Sequence, residues 1–127
     1  MEITGKENNM YIDSHQHFWN ISRGDYSWMS SEYKPLYRDF DSSDLFPLIN
    51  KKNITQTIIV QAADTIAETE FILDIANKNS FVSGVVGWID FENSDVVKHI
   101  DKLIENKYDL PIWNSDIIRN LRGSVKI

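Results

Sequence analysis

The sequence predicts an α/β fold built on a parallel sheet of about four strands. Two β-branched apolar runs without a helical period, at 56–62 and 81–90, are typical of buried parallel strands. Amphipathic segments with polar capping residues, at 64–79 and 93–106, alternate with these runs. Strands that alternate with capped helices indicate βαβ units. The 127 residues correspond to one domain by size.

The beginning of the chain predicts a leader, a strand and a long loop. Residues 1–9 are polar, and we expect a disordered leader there before a domain over 10–127. Residues 10–14, "MYIDS", predict a short strand. The segment 15–40 predicts a loop, because it is rich in aromatic residues and is interrupted by a glycine and a proline.

Two capped helices flank the first of the buried strands. Residues 42–53 predict a helix with Ser42 or Ser43 as its N-cap. In the helix over 64–79, Thr65 and Glu68 have the spacing of a capping box.

The end of the chain predicts a third helix and a last strand. The helix over 93–106 carries an apolar stripe formed by Val96, Val97, Ile100, Leu103 and Ile104. The segment 108–120 is longer than most connections from a helix to a strand, and it predicts an insertion or a loop over one end of the sheet. Residues 120–127, "NLRGSVKI", predict the fourth strand.

The amino-acid composition argues against several classes of binding partner. The 13 basic and 19 acidic residues leave a net charge of −6, which argues against nucleic acid and anionic membranes as partners. No apolar stretch approaches about 18 residues, so the sequence predicts no membrane-spanning helix. The chain has no cysteine, which excludes thiolate metal sites and is compatible with a reducing compartment. We therefore expect a cytoplasmic protein.

The most informative short pattern is the pair of histidines in "YIDSHQHFWN". Side chains alternate between faces along a strand, so Asp13, His15 and His17 share one side if the chain stays extended. Two imidazoles so placed can bind one divalent cation, although such a pair also occurs by chance. Its position at a strand end favours a ligand site, because parallel α/β sheets bind ligands at the carboxyl ends of strands. We expect Asp13 to be a structural hydrogen-bonding residue rather than a ligand.

Six stretches, in order, resemble a known family. "IDSHQHFW" (12–19) resembles the D-x-H-x-H-F-W opening of the amidohydrolase superfamily, in its amidohydrolase-related branch of fuconolactonase-like and 2-pyrone-4,6-dicarboxylate lactonase-like proteins. The other five are "DYSWM", "RDFDSSDLFPLI", "IIVQAADTIAETEFILDIA", "VVGWIDF" and "LRG", and the likeness extends from about residue 10 to residue 123.

The resemblance implies a fold and an activity. The fold would be a (β/α)8 barrel, of which this chain would form the N-terminal half. The activity would be hydrolysis of a small-molecule lactone of a sugar acid by an activated water. His15 and His17 would be the catalytic residues and the ligands of a divalent metal, zinc or manganese. Some members of the branch work without a metal, so the motif leaves metal dependence open.

Five further residues are candidates for substrate binding. Trp28 lies in the aromatic loop and is a candidate lid residue. Gln61 ends one buried strand, while Trp88 and Asp90 end the next. Arg122 resembles the family arginine that can hold a substrate carboxylate. Four of the five have a structural alternative: backbone hydrogen bonding for Gln61, core packing for Trp88, loop capping for Asp90 and a surface ion pair for Arg122.

The chain also departs from the family pattern. The family has a further histidine near the middle strands and an aspartate at the last strand, and we find no match for either. We therefore expect a truncated and inactive part of a hydrolase. A second interpretation is a non-catalytic half-barrel remnant that binds a small sugar acid or dimerises through its exposed edges. A third, a small flavodoxin-like domain, is disfavoured because no glycine-rich phosphate loop follows the first strand.

Overall fold

The computed structural model describes residues 9–105 and 112–114, and its centre is a four-stranded sheet. Each neighbouring pair of strands is parallel, as the sequence predicts. The strands in chain order are β1 (Tyr11–Gln16), β2 (Ile54–Val60), β3 (Val82–Gly87) and β4 (Ile112–Asn114).

Three α-helices connect the strands, at the places where capped amphipathic segments predict them. They are α1 (Ser42–Lys51), α2 (Ile66–Lys78) and α3 (Val96–Glu105). The predicted N-cap of α1 is wrong: Ser42 is already helical, and the cap is Asp41. The Asp41 carboxylate accepts a hydrogen bond from the Ser43 amide, and the Asp44 carboxylate accepts one from the Asp41 amide. This reciprocal pair forms a capping box at the start of α1.

The strand order distinguishes a barrel segment from a doubly wound sheet. The strands follow one another across the sheet in chain order, β1-β2-β3-β4. Parallel crossovers are almost always right-handed, so successive steps in one direction place every helix on the same face. A flavodoxin-like sheet reverses its direction of growth after the first strands, and this one does not. The order therefore favours the predicted barrel half over the flavodoxin-like alternative.

One hydrophobic core lies between the sheet and its helices. It combines residues of all three helices with β2, β3 and the loop after β1, namely Phe18, Ile49, Ile59, Ile72, Leu73, Ala76, Phe81, Val82, Val85, Ile89 and Leu103. On the strand that begins the sheet, Tyr11 and Ile12 remain mostly exposed. Val97, predicted to belong to the apolar stripe of α3, is 64% exposed, because the helix turns that position away from the core.

The connection after α3 also differs from its prediction. The segment 108–120, predicted as an insertion or loop, contains β4. Ile112 pairs with Val85, and Asn114 pairs with Gly87. Three residues are too few to show a strand period, so only pairing with β3 identifies them. The predicted strand over 120–127 lies outside the described residues. In the described part of the chain, no helix is long and apolar enough to cross a bilayer.

Candidate functional site

The two histidines of the opening motif meet at the carboxyl end of β1. Their Nε2 atoms are 3.2 Å apart, and their ring centroids are 4.9 Å apart with the planes 75° from parallel. Both side chains are exposed to solvent. Between them, Gln16 points to the opposite side and is buried, as alternation along an extended chain requires.

A backbone carbonyl orients His17. Its Nδ1 lies 2.8 Å from the carbonyl oxygen of Val60, the last residue of β2. A carbonyl oxygen can only accept, so Nδ1 carries the proton in this contact. In the neutral ring, Nε2 then has a free lone pair directed towards His15. Histidines that ligate metals are held in the same way through their second nitrogen.

The spacing of the two rings fits a divalent metal ion. Two imidazole nitrogens at about 2.0–2.1 Å from a tetrahedral zinc lie about 3.3 Å apart, close to the 3.2 Å found here. Among the described residues, no group of three or more histidine, cysteine, aspartate or glutamate side chains surrounds a common point. Asp13 contributes a different contact, since its Oδ1 accepts a hydrogen bond from the His15 amide at 3.1 Å. This contact is the structural hydrogen bond that the sequence predicts for Asp13.

A cavity of about 620 Å³ opens beside the histidine pair. It brings together four of the predicted site residues, and its lining consists of His17, Trp19, Ser27, Trp28, Gln61, Ala62, Ala63, Asp64 and Trp88. Asp90 is not part of this lining. Its carboxylate accepts a hydrogen bond from the Glu92 amide at 3.0 Å, which corresponds to the loop-capping alternative. The predicted Arg122 lies outside the described residues.

The cavity combines aromatic walls with one polar atom that has no bonding partner. The Trp28 indole donates a hydrogen bond to the carbonyl of Ala62 at 2.7 Å, and its ring packs edge-on against Trp19 at 5.5 Å. The Gln61 side-chain oxygen is buried and has no hydrogen-bond partner among the described residues. A hydroxyl of a bound ligand could donate to this oxygen, while the indole rings offer apolar surface to a sugar ring.

Sequence reasoning missed a buried polar network behind the cavity. Thr65 caps α2 as predicted, with its Oγ accepting from the Glu68 amide at 3.0 Å. The Glu68 carboxylate does not complete the predicted capping box. It is fully buried and accepts hydrogen bonds from the Ala62 amide at 2.8 Å and from the Tyr26 hydroxyl at 3.0 Å. Arg23 forms an ion pair with the same carboxylate at 2.5 Å.

One guanidinium, that of Arg23, pairs with two carboxylates in this network, Asp25 of the same loop and Glu68 of α2. Burial opposes the charge of Arg23, but its hydrogen bonds to Glu68 and Asp25 outweigh that effect and raise its pKa. Burial also acts against the Asp25 carboxylate, yet hydrogen bonds from Thr65 and Arg23 prevail and lower its pKa. Burial is the main cause that raises the pKa of Tyr26, which therefore stays a neutral donor. The motif "DYSWM" includes Asp25 and Tyr26, but nothing local shows that Tyr26 meets Glu68 or that Asp25 meets Thr65.

Known proteins resemble this chain in both sequence and structure. No protein-family model matches it. An L-fucono-1,5-lactonase of Burkholderia ambifaria is 39% identical over 92 residues, which cover 72% of this chain and 32% of that protein. An L-fucono-1,5-lactonase of Burkholderia multivorans is 35% identical over 89 residues, covering 70% of this chain and 30% of its own length. This chain thus spans about a third of the curated relatives that it matches.

A solved structure is also similar to this chain. A crystal structure of an amidohydrolase from Burkholderia multivorans with bound zinc superimposes with a TM-score of 0.67 and 33% identity. The superposition covers 74% of this chain and 33% of that one. These similarities confirm both the family that the sequence motifs resemble and the predicted α/β barrel-type fold.

Proposed function

This chain belongs to the amidohydrolase-related, fuconolactonase-like family, and from that premise we propose that it carries the opening part of a site that hydrolyses the lactone of a sugar acid. In that reaction water adds to the lactone carbonyl and the ring C–O bond breaks, which leaves a hydroxy acid. The observation that supports the proposal most directly is the convergence of His15 and His17, 3.2 Å apart, beside a tryptophan-lined cavity.

Each site residue has a proposed part in this chemistry. His15 and His17 would hold zinc or manganese, which when bound lowers the pKa of a water and polarises a carbonyl. Trp28 and Trp88 would pack against the sugar ring. Gln61 would accept a hydrogen bond from one of its hydroxyls through the buried side-chain oxygen. Without a metal, the same pair of imidazoles can still pass a proton between their Nε2 atoms, so the metal-independent alternative remains compatible with the geometry.

We further propose that the 127-residue chain alone does not turn over lactone. The described residues present two metal ligands, whereas catalytic zinc usually has three protein ligands. The competing proposal is a non-catalytic half-barrel that binds a small sugar acid or dimerises. The exposed residues of β1 favour it, since Tyr11 and Ile12 are 54% and 61% exposed along a strand edge. Arg122 as a carboxylate ligand and a cytoplasmic location stay predictions.

Histidine variants of the 127-residue chain test the site. Zinc and manganese are titrated into the wild type and into His15→Gln, His17→Gln and His99→Gln, the last of which alters the remaining histidine of the chain. We expect the first two to weaken zinc binding at least tenfold and His99→Gln to leave it unchanged. Equal binding by all four proteins would refute the metal site.

Activity and assembly are measured on the same preparations. Opening of L-fucono-1,5-lactone is followed by acid release, with and without zinc, and we expect no rate above the uncatalysed one. Robust turnover by a monomer would refute the inactivity. Light scattering after size exclusion separates the competing proposals, because a dimer favours the remnant that associates through its edges.

A further inference from the structure

The first turn of α2 carries two adjacent buried polar residues that the proposed chemistry does not use. Glu68 is fully buried, and Thr69 is 1% exposed. Polar side chains are seldom buried this completely unless they make specific hydrogen bonds. Their partners identify what the two residues do.

Glu68 holds the chain where it leaves β2. Its Oε1 accepts the hydrogen bond from the Ala62 amide at 2.8 Å. The carbonyl of the same residue accepts the hydrogen bond from the Trp28 indole at 2.7 Å. Ala62 follows Val60 by two residues, and the Val60 carbonyl orients His17. A single carboxylate thus supports the segment that positions both a cavity wall and one of the two converging imidazoles.

Thr69 holds the equivalent point of β3. Its hydroxyl accepts a hydrogen bond from the Trp88 amide and donates one to the Trp88 carbonyl, both at 2.7 Å. Trp88 forms another wall of the cavity. The two hydrogen bonds bring the Thr69 side chain close to the backbone of β3. At Gly87, an added Cβ would lie 2.6 Å from the Thr69 methyl group.

We propose that Glu68 and Thr69 are positioning residues, which align the ends of β2 and β3 from the first turn of one helix and so set the geometry of His17, Trp28 and Trp88. The positioning role of the two residues does not depend on the proposed function. Only the consequence for metal binding depends on the proposed function. Neither Glu68 nor Thr69 belongs to the cavity lining, so both act through the backbone of the lining residues Ala62 and Trp88 that they hold.

The test compares Glu68→Gln with Asp74→Asn, using the whole 127-residue chain labelled with ¹⁵N. Asp74 is a matched control because it lies on the same helix and its carboxylate is exposed, in an ion pair with Lys78. At pH 8, the ring ¹⁵N shifts of His17 report which nitrogen carries the proton. Hydrogen exchange of the Trp28 indole reports its bond to Ala62.

In the wild type and in Asp74→Asn, we expect His17 to carry its proton on Nδ1 and the Trp28 indole to be protected. In Glu68→Gln, we expect a mixture of the two His17 tautomers, at least tenfold faster exchange of the indole proton, and a zinc affinity reduced by about tenfold. Unchanged tautomer and exchange in folded Glu68→Gln would overturn the proposal. If no variant binds zinc, the proposed metal site fails, and the first two measurements still decide the positioning role.

A second variant applies if Glu68→Gln does not fold. Tyr26→Phe keeps the buried ring but removes the hydroxyl that donates to Glu68 at 3.0 Å. We expect a smaller change in the same direction, about threefold faster exchange of the Trp28 indole. Wild-type exchange in a folded Tyr26→Phe protein would count against the proposal.

Discussion

Substituting Gly87 by alanine tests the close contact between β3 and α2. The new Cβ would lie 2.6 Å from Cγ2 of Thr69 and 3.0 Å from its Oγ1, whereas real Cβ contacts are essentially never below 3.0 Å. Thr69 cannot rotate away freely, because its hydroxyl makes two hydrogen bonds with Trp88 at 2.7 Å. The strand and the helix must therefore separate, or both hydrogen bonds must break.

Separating the strand from the helix and breaking the two hydrogen bonds would reduce stability by similar amounts. Overpacking of a filled site costs about 1–3 kcal/mol. Loss of two hydrogen bonds costs about 0.5–1.5 kcal/mol each. We therefore expect Gly87→Ala to reduce the free energy of unfolding by about 2–3 kcal/mol. With a urea dependence of about 1–3 kcal/mol per molar, the midpoint of unfolding falls by about 1 M. Tryptophan fluorescence during urea titration measures this shift.

The double variant Gly87→Ala/Thr69→Ser identifies the cause. Serine lacks the methyl group in the closest contact but keeps the hydroxyl, so the double variant should recover about 1 kcal/mol relative to the sum of the single effects. Gly24→Ala is the control. Gly24 has φ +73°, and no atom lies within 4 Å of the position of an added Cβ. Gly24→Ala should therefore cost about 1–2 kcal/mol of stability through backbone strain alone. This cost should add independently to the cost of Thr69→Ser. A Gly87→Ala protein as stable as the wild type would refute the packing argument.

Two other measurements probe the loop that closes the site. The lowered pKa of Asp25 means that its contribution to stability is complete above pH 3.8, the ordinary aspartate value, and is lost as the pH falls through its folded-state pKa. Asp25→Asn should therefore flatten the decline in the free energy of unfolding between about pH 5 and pH 2, and an unchanged slope would contradict this assignment. Phe18 is 2% exposed, so Phe18→Ala should cost about 3–5 kcal/mol in urea titration. Phe91, 44% exposed, is its control, and an equal loss from Phe91→Ala would show that burial is not the cause.

Local patterns were sufficient for most of the elements. The run at 56–62 and the capped helix over 64–79 needed no knowledge of distant residues, since strand and helix periods and caps act within four positions. Because local patterns act only within four positions, they also explain the wrong predictions for the N-cap of α1 and for β4. Ser42 and Asp41 are equally good capping residues by type, and backbone geometry alone selects Asp41. The three residues of β4 are recognisable only when β3 lies beside them.

The sequence by itself determined that two imidazoles project from the end of an opening strand, and which family this motif resembles. Tertiary structure decided how they work as a pair. The carbonyl that orients His17 belongs to Val60, 43 residues away, and the carboxylate behind the cavity reaches Tyr26 across 42 residues. Such contacts depend on the register of β1 against β2 and on where α2 packs against the sheet. Register and packing arise from burial over the whole sheet, so no short stretch of the chain contains them.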